Sequence, residues 1–403
     1  MANTLTNLPP DFWAKEAQKS LFVQNSALPL VANVTLENLL AGGGNKVERV
    51  ILSYPRSQSY TPGTDVTATA LTDSKEALTV DDWDTQRVDI DDTEKKQSII
   101  DIGEAIMKRM LANHKNTLEQ VVLNQTSSAS HSLDAGNVGG SSGSNISVNT
   151  DNAPQLFTAA DTKLDGADVP ALGRVAVVGG HVLGQLKLQQ AGRATSFGDR
   201  VNANGFVGML FGWEIVYNNN LPYSATLNIA TTPTTGDTVT VAGVTLTFKA
   251  TAVAAGELRI GNAQDANAYV AAALNNDTTA YTSGTHFVSV SSDNLFILRD
   301  KRRITATHTT TTCSITGYGD IVVAETFTDV TDGWASQLQK SLFCHRGAIH
   351  LITQIPPSVE VKRHPYQHAD IVMSLLGNGV KFYADGKREA VYVKVAANSA
   401  DWS

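Results

Sequence analysis

Cysteine is almost missing from this chain. Cys313 and Cys344 are the only two in 403 residues. Two cysteines so far apart exclude a disulfide scaffold and fit a reducing compartment. Their positions in the chain leave open whether they meet in space. Long apolar runs are missing too: no stretch of about 18 apolar residues occurs, which excludes a membrane-spanning helix. The opening MANTLTNLPPDFW has no basic stretch followed by an apolar one, so it does not read as a signal peptide. Positive charge is in short supply, with 31 Lys and Arg against 39 Asp and Glu, a net charge of −8. A protein that grips nucleic acid through its surface leans the other way, so the balance speaks against a dedicated DNA binder and for solubility. Apolar side chains are plentiful, at 42 % of residues with only 17 % charged. That composition fills a sizeable core, and the length suggests two or three domains.

Residues 1–46 read as an arm of separate pieces. Pro9, Pro10 and Asp11 make a helix start, and Trp13, Ala17 and Leu21 then share one face at four-residue spacing. Pro29 and the glycines 42–44 break the rest of the arm. Residues 47–90 read as a long hairpin. Val47, Val50 and Ile51 lead outward to Tyr54, and alternation over 77–80 returns towards Val88 and Ile90. Its tip, SYTPGTDVTATALT, carries a Pro62-Gly63 turn signal and only Tyr60, Val66 and Leu71 as larger apolar side chains. Limbs of about 15 residues would reach roughly 50 Å. A two-stranded ribbon is marginal alone, so something else must cover it.

Residues 93–124 carry the clearest helical period, through Ile99, Ile102, Ile106, Met110, Thr117 and Val121, interrupted near His114. Unbroken, this helix would span about 48 Å, a structural spine. Residues 126–150 read as a Ser/Gly/Asn loop, and 151–222 as α/β, with helices over 152–164 and 181–190 and strands at 174–178 and 208–217. From about Tyr223 to Leu338 the chain turns threonine-rich, with a hairpin around Ala242-Gly243, a helix over 265–274 and strands near 287–290 and 295–298. This reads as a separate α+β insertion. Beyond 340 the threonine richness ends, with strands at 348–352 and 359–362 and a closing pair at 380–383 and 390–395.

No constellation adds up to an active site, and no cofactor or metal is expected. Gly139-Gly140-Ser141-Ser142-Gly143 matches G-x-S-x-G, but no apolar strand enters it, so Ser141 reads as a chance match. His364 and His368 have ligand-like spacing, which Pro365 separates from a helix. The acidic run from Asp81 to Glu94 lacks the calcium-loop pattern, and 41–46 lacks a phosphate-loop Lys-Ser/Thr. Arg299, Lys301, Arg302 and Arg303 form the one basic cluster, read as a charged edge strand or a contact with an acidic neighbour.

Laid end to end, the segments resemble the major capsid (coat) protein family of tailed bacteriophages, whose fold is shared with herpesvirus shells. The residues that carry the resemblance are WAKEAQKSL from Trp13, SQSYTPGTDVTATALTDSKEALTVDDW, VDIDDTEKKQS, RVAVVGGH from Arg174, GWEIVYNNNLP from Gly212 and VKFY from Val380. The resemblance implies an α+β fold with an N-terminal arm (1–46) and an extended E-loop (47–90). A peripheral domain with the spine helix would take 91–150 and 376–403, an axial domain 151–222 and 339–375, and the insertion 223–338. It implies a non-enzymatic shell protein that assembles as pentamers and hexamers around double-stranded DNA in a virion, formed in the host cytoplasm. Trp13, Leu21, Tyr54, Tyr60, Val66 and Leu71 would then be inter-subunit contacts. Partners would be further copies of the chain, a portal, a decoration protein and a scaffolding protein. No scaffold-like leader precedes Trp13, so any scaffold would be a separate protein. The competing expectations are a tail or adhesion protein with a glycan-binding insertion, and a serine hydrolase using Ser141.

Overall fold

The computed structural model describes residues 27–36, 44–53, 55, 57–97, 102–191, 209–277, 286–319, 321–329 and 331–396. Three of the residues expected at contacts, Trp13, Leu21 and Tyr54, lie outside them, as does Ile99 of the helical pattern. The body is built on two sheets. In the first, Ile349–Arg363 and Ala369–Lys381 form a long antiparallel pair, flanked by Ala32–Asn33 on one side and Asp82–Asp91 on the other. The helix Ile102–Asn124 lies on it, with Met110 packed among Ile90 and Val372. His114, expected as an interruption, sits inside this helix.

The second sheet has nine strands, seven of them in one path from Thr305–His308 to Met209–Leu210 with Gly333–His345 at its centre, while Ala390–Ala396 pairs with Gly333–His345 off that path and carries His131–Leu133. Arg174–Val178 is buried at every position because strands pair on both its sides. Helices Ala153–Asp165 and Gly180–Ala191 share one core with it, where the Phe343 ring stands edge-on to Phe157 and Trp213 at 5.1 and 5.2 Å. Arg174 is buried at the strand's start, where Asp161 and Asp165 each accept from it at 2.6 Å.

The threonine-rich region has its own core, led by Phe248, Leu246, Tyr269 and Phe287. The hairpin Thr238–Val241 and Val244–Lys249 turns on Ala242 and Gly243, both with positive φ, as a tight two-residue hairpin loop requires. Valine, leucine and phenylalanine alternate inward while threonines face out. The unit is not a bead on a string, however. Pro222–Asn228 and Gly333–His345 carry its backbone hydrogen bonds straight into the nine-stranded sheet.

Several sequence expectations change. Residues 295–298 are not a strand: Ser292–Leu295 is helical and Phe296–Lys301 is a π-helical turn in which Leu298 alone is buried. The basic cluster is therefore not an edge strand. Residues 287–290 contribute only a bridge from Phe287 to Leu258. The expected closing pair does not form, since Val380 pairs with Leu351 in one sheet while Ala390–Ala396 pairs with Gly333–His345 in the other. Two expected strands, 348–352 and 359–362, are one strand that absorbs Pro356 and Pro357 at register shifts, where a missing N–H does no harm. Cys313 and Cys344 are both free and buried, in separate cores.

Candidate functional site

The hairpin expected over 47–90 is shorter and ends in an open segment. Lys46–Leu52 pairs with Asp73–Thr79, and the chain then turns, so that Asp82–Asp91 leaves to join the first sheet. The base is fixed to the body. Val47, Leu78 and Val80 are buried with Ile352 and Tyr383. Burying one such side chain is worth about 1.5–3 kcal/mol. Arg49 reaches Asp385 at 2.5 Å and lies 5.3 Å from the Tyr383 ring centre, so the cation sits over an aromatic face. The approach is close: a Cβ on Gly379 would stand 2.4 Å from the Thr79 carbonyl oxygen. Only glycine lets these two backbones meet.

Beyond the base, the hydrogen bonds of the tip among the described residues run within the tip itself. Every described residue from 57 to 75 is exposed. Ser53 N–H donates to Thr72 O at 2.8 Å, Gln58 Nε2 to Thr67 O at 2.7 Å, and Thr64 N–H to Thr61 O across the Pro62-Gly63 turn. Gly63 holds φ at 88°, which a type II turn demands. Tyr60 is 67 % exposed, and Val66 and Leu71 are more than half exposed. Val50 and Leu52 join them on the outward face of the first limb. By sequence Val50 leads outward along the limb, and neither Val50 nor Leu52 is among the contact residues expected there. The signal was alternation: Val47 is buried, so Val50 and Leu52 cannot share its face.

The other sequence candidates fall apart spatially or serve the fold. Ser141 lies in a loop held by the Asp134 carboxylate, which accepts from Gly136 N–H and Gly143 N–H, with no strand-to-helix elbow. His364 and His368 lie in or beside the turn between the two long strands, and His364 Nδ1 accepts from Tyr366 N–H. Among the described residues no group of three His, Cys, Asp or Glu converges as a metal site, and no helix is long and apolar enough to cross a membrane. The structure does assemble a serine–histidine–aspartate row that spacing could not show. His114 Nε2 is 2.7 Å from Ser374 Oγ, and its Nδ1 is 3.0 Å from Asp84 Oδ2. The hydrogen bond from His114 holds the Asp84 carboxyl below the usual carboxylate range, with burial opposing it. Ser374 is only 3 % exposed, so the row works as a strut between helix and sheet.

The basic cluster divides. Arg299 donates to Asn275 O, and Arg302 points back to Asn219 and Tyr318 O. Burial pushes Lys301 below the ordinary lysine range, helped by Arg302, while its carbonyl accepts from Gln120 of the long helix at 2.9 Å. Arg303 follows directly, at a φ of 45°.

No family model matches the chain, and no curated protein matches it. Solved structures do. A structure from Mycobacterium phage Che8 matches with 17 % identity and a TM-score of 0.56, over 96 % of this chain and 97 % of that one. The capsid structure of the cyanophage P-SCSP1u matches with 13 % identity and a TM-score of 0.53, over 99 % and 96 %. This chain has the phage capsid-protein fold. The match spans nearly the whole length, so the inserted threonine-rich unit and the projecting hairpin both lie within the matched capsid-fold chain.

Proposed function

We propose that this chain is a phage shell protein that assembles as pentamers and hexamers into an icosahedral capsid around double-stranded DNA. One observation carries the reading on this fold: a hairpin whose base is locked into the body while its tip, among the described residues, is exposed and bonded only within itself. A tip built of threonine, serine, glycine and proline stays soluble while alone, and its β-branched residues favour an extended form. Tyr60, Val66, Leu71, Val50 and Leu52 then find cover on a neighbouring copy, as repeated association of identical subunits requires. Trp13, Leu21 and Tyr54 belong to the same proposal as arm and limb contacts. The reading carries with it a virion location, assembly in the host cytoplasm, and a portal, a decoration protein and a scaffolding protein as partners. Its function is association, not catalysis. Deleting residues 60–70 is expected to leave a folded protein, by circular dichroism, that forms no closed shells in negative-stain images. Closed shells from that deletion would remove the hairpin's role.

A further inference from the structure

A cleft of about 770 Å³ opens where the inserted unit meets the C-terminal end of the long helix. Arg299, Arg303 and Lys340 line it, against a single lining carboxylate, Asp82. Arg299 comes from the π-helical turn Phe296–Lys301, a rare geometry that concentrates at functional sites. Arg303 sits in the left-handed region at a φ of 45°, which is strained for a residue with a Cβ. Such strain gathers at ligand clamps, where the surroundings hold it in place. On the wall, Tyr223 is 2 % exposed and its Oη is buried without a hydrogen-bond partner. Burial pushes Lys340 below the ordinary lysine range, and Lys394 adds to the effect, so positive charge here is crowded and poorly balanced. Part of the field of Arg303 falls on Asp84. Lys340 also donates to Ser127 Oγ at 2.7 Å and keeps two further donors.

We propose that this cleft binds a phosphate group, carried by a free phosphate compound or by a nucleic-acid backbone. Phosphate fits better than carboxylate for two reasons. The Arg303 guanidinium, the donors of Arg299 not given to Asn275 O and the Lys340 ammonium outnumber what the two oxygens of one carboxylate accept. The cleft also holds a surplus of cations over Asp82, and a phosphate monoester carries about −1.5 to −2 charge at neutral pH, while a nucleic-acid backbone presents one negative charge at every successive phosphate.

The test titrates the full chain calorimetrically at low ionic strength, with sodium phosphate and in parallel with a short oligothymidylate. Saturable binding that weakens with salt is expected, as for any site of paired cations. Arg303→Asn is expected to weaken it about tenfold. Asparagine tolerates left-handed backbone, so this variant keeps or raises the thermal midpoint while losing the charge. Lys340→Gln is expected to act likewise, whereas Arg346→Gln, whose arginine is paired with Glu214 outside the cleft, leaves binding unchanged. Tighter binding of the oligonucleotide assigns the site to a nucleic-acid backbone, and tighter binding of phosphate to a free compound. No saturable binding of either probe overturns the proposal. So does binding that survives both cleft substitutions, or equal displacement by acetate.

Discussion

His114 ties three elements together through two ring nitrogens: its own helix, Asp84 on one strand and Ser374 on another. Removing the imidazole leaves a cavity and two unpaired partners. His114→Ala is expected to cost about 2–4 kcal/mol in urea unfolding, and Ser374→Ala about 1 kcal/mol. A loss no larger than that of a surface substitution would deny the strut. The strut is also acid-sensitive. Because the folded-state pKa of Asp84 is depressed, its contribution is present above the unfolded value of about 4 and lost as pH falls through the lower folded value. Between pH 5 and pH 3 the parent is therefore expected to lose more thermal stability than Asp84→Asn. Equal losses would show that this carboxylate contributes no linkage. None of this was legible in the sequence. His114 lies 30 residues from Asp84 and 260 from Ser374, and only the fold makes them neighbours.

At the scale of elements, local chemistry was the reliable guide where it was decisive. Ala242-Gly243 between alternating apolar residues marked a hairpin, and the turn is there with both residues at positive φ. Alanine is the weaker of the pair in that region. Ala242→Asn is expected to stabilise the protein by about 0.5–1 kcal/mol, read as a higher unfolding midpoint. A lower midpoint would mean that the turn type is set by something other than these two residues. The helices over 152–164, 181–190 and 265–274 also stand within one or two residues of their expected bounds. The failures have one cause. Residues 295–298 form an unbroken apolar run and 380–383 are apolar but for Lys381, and so short a segment does not say whether it will coil or which strand it will join.

For the whole molecule, the inserted unit poses the sharpest question. Its core residues all fall between Tyr223 and Trp334, yet its strands extend the body's sheet, and Gln120 and Asn219 of the body hold Lys301 and Arg302. A fragment of residues 223–338 is expected to give a dispersed NMR spectrum and to unfold at lower denaturant than the same unit in the full chain. An undispersed spectrum would mean that the sheet junction, not the core, holds the unit together.

The sequence by itself determined composition class, the polar tip at 59–72, the hairpin around Ala242-Gly243 and the helices over 152–164, 181–190 and 265–274. Each of these rests on residues close in the chain, where side-chain period and turn chemistry act directly. The tertiary structure alone decided that Asp82–Asp91 leaves the hairpin for another sheet, that Val380 and Ala390 part company, and that Arg299, Arg303 and Lys340 face one cleft. Strand partners and charge clusters are chosen among surfaces brought together from hundreds of residues apart. That choice is made by which apolar faces can be buried at once, and no local pattern records it.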